Sequence, residues 1–174
     1  MPVAADPSAE EAADTADLAL QDRYAPHSIC FGCGPANAGG LRIKSRVTTD
    51  ADGATVVVAD WQGGKVHEAF EGMLNGGIIG ALLDCHCNWT AAHHLMVRTG
   101  AAEPPCTVTA EYHIKLLRPT PSAGPVHLVA HVTDASDRRA NVHGELFDTA
   151  GELCATCDGV FVAVREGHPA WHRW

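Results

Sequence analysis

The sequence lacks any apolar run long enough to cross a bilayer: its longest apolar stretch, residues 78–83, is far short of the ~20 residues a spanning helix needs. It is also poor in positive charge. With 12 Lys and Arg against 21 Asp and Glu, the net charge is -9, which argues against nucleic acid or an anionic membrane surface as partner. The first eleven residues contain neither a basic segment nor an apolar one, so no targeting signal is visible and a cytoplasmic location is expected. There is no internal repeat, and no biased segment beyond the acidic N-terminus.

What is present suits one globular domain: 174 residues, 46% hydrophobic and 19% charged. Seven cysteines is an odd count, and nothing points to secretion, so reduced thiols are expected. Cys30-x-x-Cys33 and Cys154-x-x-Cys157 have the form of two zinc half-sites, with Cys85, His86 and Cys87 as further candidate ligands. However, the two pairs lie much further apart than the ~15–20 residues of a zinc ribbon. The second pair also falls in a strand-like stretch, where residues three apart point to opposite faces. The expectation is thiols without a metal.

Residues 1–27 begin rich in Ala, Asp and Glu and can bury little, so they are expected to form a mobile or peripheral tail or, within the acidic stretch to about Asp22, one short docked helix. Residues 167–174 form a second tail, leaving 28–166 as the domain. CFGCGPANAGG (30–40) is rich in turn residues. Segments 41–48 and 54–61 are predicted strands joined across a hairpin signal at 50–53, and a loop at 62–73 follows. Ile78, Leu82, Cys85, Trp89, Ala92 and Met96 recur at helical spacing, which predicts a long buried helix from Gly76 to about Val97, capped by Asn75. Segments 107–117, 126–133, 140–148 and 152–164 read as four further strands. The order β-β-α-β-β-β-β, without βαβ alternation, predicts an α+β fold in which an antiparallel sheet wraps one long central helix.

Projected at 100° per residue, the helix has a second side made of Gly77, Gly80, Ala81, Asp84, Asn88 and Ala91, small as well as polar. Small residues let another backbone approach, and an acid among them would be desolvated and made reactive. The opening Asn75-Gly76-Gly77 aims backbone N–H groups and the positive end of the helix dipole at one spot. Donors of that kind stabilise the oxyanion of an acyl-transfer intermediate by about 3–4 kcal/mol each.

GMLNGGIIGALLD (72–84) resembles the His-Gly-Gly plus acid signature of hotdog-fold acyl-CoA thioesterases, in the phenylacetyl-CoA-thioesterase-like branch. The likeness extends through TVTAEYHIKLLRP (107–119), residues 151–164 and the CFGCG opening, covering roughly 28–165. It implies a hotdog fold and hydrolysis of an acyl-CoA, with Asp84 as general base or nucleophile and the Gly76 N–H polarising the thioester carbonyl. It also places Thr109 near the water and Asn88 one turn beyond the acid. Asn75 stands where the family usually has His, and an amide cannot exchange protons as imidazole can. The family's sites join the acid of one subunit to the glycine loop of another, so a homodimer or a dimer of dimers is implied, with no cofactor. CoA phosphates call for basic residues, and Lys115, Arg118, Arg138 and Arg139 are the candidates. Phe70, Met73, Trp89 and Trp61 are candidates for an acyl pocket, and His86 and His93 for packed rather than ligating histidines. Other classes to weigh are a non-catalytic module binding acyl-CoA or acyl carrier protein, and a zinc-stabilised interaction protein.

Overall fold

The long helix begins where Asn75 can stop the backbone and accept from it: its side chain takes the N–H of Gly77 at 2.7 Å. It ends at Gly100, which adopts the left-handed conformation that favours glycine. The computed structural model describes residues 18–172 and contains, in chain order, α1 (Leu20–Tyr24), β1 (Arg46–Thr49), β2 (Thr55–Trp61), β3 (Glu68–Phe70), β4 (Met73–Leu74), α2 (Gly76–Thr99), β5 (Thr107–Leu116), β6 (Val126–Ala135), β7 (Arg139–Phe147) and β8 (Leu153–Ala163). Six strands form one antiparallel sheet in the order β1-β2-β6-β7-β8-β5, and β3 with β4 makes a small separate hairpin. The sheet wraps α2, as predicted. Among the described residues no helix is long and apolar enough to cross a membrane.

The helix is buried on every side over most of its length. Gly144 of β7 lies so close to it that a Cβ there would fall 2.5 Å from the Cys87 sulfur, so only glycine lets that strand approach. The opposite flank, carrying Ala81, Cys85 and Trp89, is covered by the segment 28–43 rather than by the sheet. That crossing explains why 41–45, predicted as strand, is not one. Leu41 and Ile43 donate their backbone N–H groups to the carbonyls of Phe31 and Gly32, so this stretch is held by the turn-rich opening segment and the sheet begins only at Arg46.

One further expectation is corrected. The loop at 62–73 contains a short 3-10 turn (Lys65–His67) and β3, and β4 begins at its last residue. Before residue 28 the described part of the N-terminal segment forms the short docked helix α1: Leu20, Gln21 and Ala25 are buried, and Gln21 hydrogen-bonds both the amide and the hydroxyl of Ser45. The rest of the proposed tail, residues 1–17, lies outside the described residues, as do 173–174.

Candidate active site

Four helix residues advance about 6 Å and two strand residues about 6.7 Å, so a helix lying along a strand can match side chains one turn apart with alternate strand positions. Asp84 and Asn88 meet Thr109 and Thr107 of β5 in this way. The Thr107 hydroxyl donates to Asn88 Oδ1 at 2.7 Å, Asn88 Nδ2 donates to Thr109 Oγ1 at 3.4 Å, and the Thr109 hydroxyl donates to Asp84 Oδ1 at 2.7 Å. A hydroxyl has one proton, and with Asn88 donating to it, Thr109 gives that proton to Asp84. Each bond polarises the next toward the carboxylate, which is held as an acceptor, the state a base requires. A bulge in β5 sits just beyond Thr109: Thr109 pairs with Phe161 but Glu111 with Val160, leaving Ala110 as the extra residue.

Three sequence-predicted residues, Asp84, Asn88 and Thr109, are thus brought together, and Thr107 joins them. Thr107 was missed, although the Thr-Val-Thr alternation that puts 107 and 109 on one face is visible in the sequence.

Asn75, Gly76 and Gly77 lie two turns away, about 12 Å along the helix axis from Asp84. The Gly77 N–H is taken by the Asn75 side chain, and the Asn75 carbonyl accepts from Ile78 and Ile79. Asn75 itself donates to the His67 carbonyl. Of the amides from Asn75 to Ile79, only that of Gly76 has no acceptor among the described residues. The glycine start therefore offers one donor, at Gly76, rather than a pair. Gly76 is close beneath Leu116, at the far end of β5 from Thr109, where a Cβ would fall 2.9 Å from the Leu116 Cδ1.

A cavity of about 310 Å³ opens beside Asp84, lined also by Asn88, Thr109, Trp89, Cys85 and, from the opening segment, Ser28, Ile29, Cys30 and Cys33. Of the aromatic and apolar candidates for a pocket, only Trp89 lies here. Trp61 is buried with its indole donating to the Leu41 carbonyl, Phe70 is exposed and Met73 is half-buried in β4. The cavity wall formed by the CFGCG segment was not foreseen, because nothing local in that sequence says which helix face it will cross.

The cysteine pairs separate. Cys30, Cys33 and Cys85 gather their sulfurs within 4.8 Å of one another. Hydrogen bonds from the Cys33 and Cys85 thiols hold Cys30 well below the ordinary thiol range, and donating to Cys30 pushes Cys33 up to about 11. Cys154 and Cys157 are buried elsewhere: the thiol of Cys154 reaches the Glu152 carbonyl, and Cys157 lies against Cys87. His86 is a fully buried structural histidine, with Nε2 on the Val57 carbonyl at 3.0 Å and Nδ1 on the Ser45 hydroxyl at 2.9 Å. Burial pushes its pKa down to about 4.

The four basic candidates do not form one patch within a chain. Lys115 is exposed near one end of β5, and Arg118, just past that end, pairs with Glu152. Arg138 and Arg139 sit at the β6–β7 hairpin, beside the other end of β8, where Arg138 donates to the Ala163 carbonyl at 2.6 Å. Arg165, not anticipated, lines a groove with Arg138 there.

Residues 71–155 match the thioesterase superfamily, and the match supports thioester hydrolysis as the general chemistry of that part of the chain. Solved structures agree. A thioesterase superfamily protein from Shewanella loihica is 27% identical with a TM-score of 0.57, over 75% of this chain and 98% of that one. A phenylacetic acid degradation-related protein from Ralstonia eutropha is 23% identical with a TM-score of 0.59, over 83% and 96%. Zebra fish thioesterase superfamily member 2 is 16% identical with a TM-score of 0.57, over 74% and 90%. The last two establish the fold alone. No curated protein matches the chain.

Proposed function

We propose that this protein hydrolyses an acyl-CoA thioester to the free acid and CoA, with Asp84 as general base toward water or as nucleophile on the thioester carbon. The observation that carries the reading is the polarised chain Thr107–Asn88–Thr109, which ends on Asp84 at the wall of a cavity. Thr109 orients the carboxylate, and the Gly76 N–H polarises the carbonyl, adding about 3–4 kcal/mol of transition-state stabilisation.

Asp84 and Gly76 of one chain are too far apart to act on one carbonyl, so the site requires two copies. β5 is an edge strand with Tyr112 and Leu116 exposed, the kind of edge that natural proteins pair or cover. Antiparallel pairing of two β5 strands about their midpoints brings the Leu116 end of one, with Gly76 beneath it, to the Thr107–Thr109 end of the other, with Asp84 beneath. The same pairing carries Lys115 of one copy toward the end of the sheet that holds Arg138, Arg139 and Arg165 of the other, a place for CoA phosphates.

Thiol release from short, long and aromatic acyl-CoAs tests the proposal, using the wild type and Asp84→Ala with oligomeric state measured for both. Turnover by the wild-type dimer and its loss by orders of magnitude in a dimeric variant supports it. Equal activity in the variant removes Asp84 from the mechanism. Binding of acyl-CoA without turnover favours a non-catalytic carrier of the same ligand.

A further inference from the structure

The hydrolytic mechanism leaves Cys30, Cys33 and Cys85 without a role, although all three line the cavity. Their arrangement is organised beyond ordinary packing. Cys30 and Cys33 sit in a tight turn closed by the Gly34 N–H on the Cys30 carbonyl at 2.9 Å, and helix α2 supplies Cys85. The Cys30 and Cys85 sulfurs are 3.7 Å apart, and all three lie within 4.8 Å of one another. Four ligands at the Zn–S distance of about 2.3 Å around a tetrahedral ion stand about 3.8 Å apart, so the observed separation already matches one edge of that tetrahedron.

The surroundings of the sulfurs point the same way. The Trp89 indole N–H points at the Cys33 sulfur at 3.3 Å. Such donors stabilise thiolate sulfur and orient it toward a metal. The turn can approach the helix only because residue 32 is glycine: a Cβ there would lie 2.4 Å from the Cys85 sulfur. At residue 34 a Cβ would meet the backbone of Ser28 and Cys30 within 2.7 Å.

We infer that Cys30, Cys33 and Cys85 bind one zinc ion as a three-thiolate site whose fourth coordination position opens to the cavity that Asp84 lines. Zinc suits the donor set, being borderline-soft and content with four ligands, of which one can be water or an incoming thiolate. Among the described residues no fourth Cys, His, Asp or Glu ligand atom stands with the three, as in a site that keeps one position open. The ion ties the opening segment to α2 and thereby builds one wall of the cavity. This departs from the expectation of thiols without a metal, and it does so through Cys85, which completes a half-site that the distant Cys154 and Cys157 do not.

The test uses the full chain purified under reducing conditions. Metal content is measured, the metal is removed with chelator, and Zn²⁺ is titrated back against a chromophoric competitor, with Co²⁺ as an optical probe of thiolate ligation. The expected result is one Zn²⁺ per chain and a thiolate-to-Co²⁺ charge-transfer band in a tetrahedral spectrum. Affinity should fall more than ~100-fold in Cys85→Ser and Cys30→Ser, while Cys154→Ser leaves it unchanged. The Co²⁺ spectrum of the wild type needs no variant, so a poorly folded Cys85→Ser protein does not spoil the test. Failure of the reduced wild type to take up either metal overturns the inference, as does Cys85→Ser binding as tightly as wild type. A disulfide among the three already present in the cell, preserved by alkylating free thiols at lysis and seen as a 2 Da mass loss, overturns it equally. None of these readouts depends on thioester turnover.

Discussion

Asp84 and His86 lie two positions apart on one helix and head polar networks of opposite character. Two residues turn the helix through 200°, so the side chains leave on opposite flanks. The His86 network runs to Val57, Ser45 and Gln21 in the interior, where both ring nitrogens have partners. Its pKa of about 4 leaves the ring neutral at physiological pH, with Nε2 donating to the Val57 carbonyl and no access to substrate. The Asp84 network runs to the edge strand and ends on a carboxylate facing a cavity. A buried polar group whose network closes on itself holds the fold together, whereas one whose network stops at a cavity wall can act on a ligand.

That contrast predicts different failures. Asp84→Asn should lower thioester hydrolysis by ~10³-fold or more with the melting temperature nearly unchanged, while His86→Gln should lower the melting temperature and leave kcat within a few-fold. Steady-state assays and thermal melts on both variants check this, and the reverse pattern breaks the comparison.

The next effect concerns pH. His86 binds a proton more readily unfolded, near 6.5, than folded, near 4, so its contribution to stability is intact above about pH 6.5 and is lost as pH falls toward 4. Two and a half pH units correspond to about 3 kcal/mol. Denaturant titrations across pH 7 to 4 should show that loss in the wild type and a shallower slope in His86→Gln.

Smaller changes sharpen the same contrast. Thr109→Val should reduce kcat by ~10–100-fold with KM little altered, and Thr109→Ser should recover most of it, because only the hydroxyl bond to Asp84 is at stake. Ser45→Ala removes the partner of both His86 Nδ1 and Gln21, and should cost about 1–3 kcal/mol in denaturation experiments without changing turnover.

Much of this was legible in the residues. The cap at Asn75, the helical spacing from Ile78 to Met96 and the alternation of the later strands each depend on interactions within a few residues, and each was read within a few residues of its observed position. Asp84, Asn88 and Thr109 could be nominated because a resemblance joined them. The fate of 41–45 was not legible, since its alternation suits a strand while its partners are the carbonyls of Phe31 and Gly32. The meeting of Cys30 and Cys33 with Cys85 depends on the path of that same segment over the helix.

The sequence by itself determined the element order, the small-residue flank that carries an acid and the local turn that pairs Cys30 with Cys33, because helical and strand periods and turn chemistry act over short range. Only the tertiary structure decided which flank of α2 meets β5 and which meets the opening segment. It therefore decided that Asp84 receives a hydroxyl, Cys85 joins two thiols and His86 is sealed within the core. Three consecutive residues 100° apart face three different neighbours, and those neighbours come from segments up to 55 residues distant in the chain.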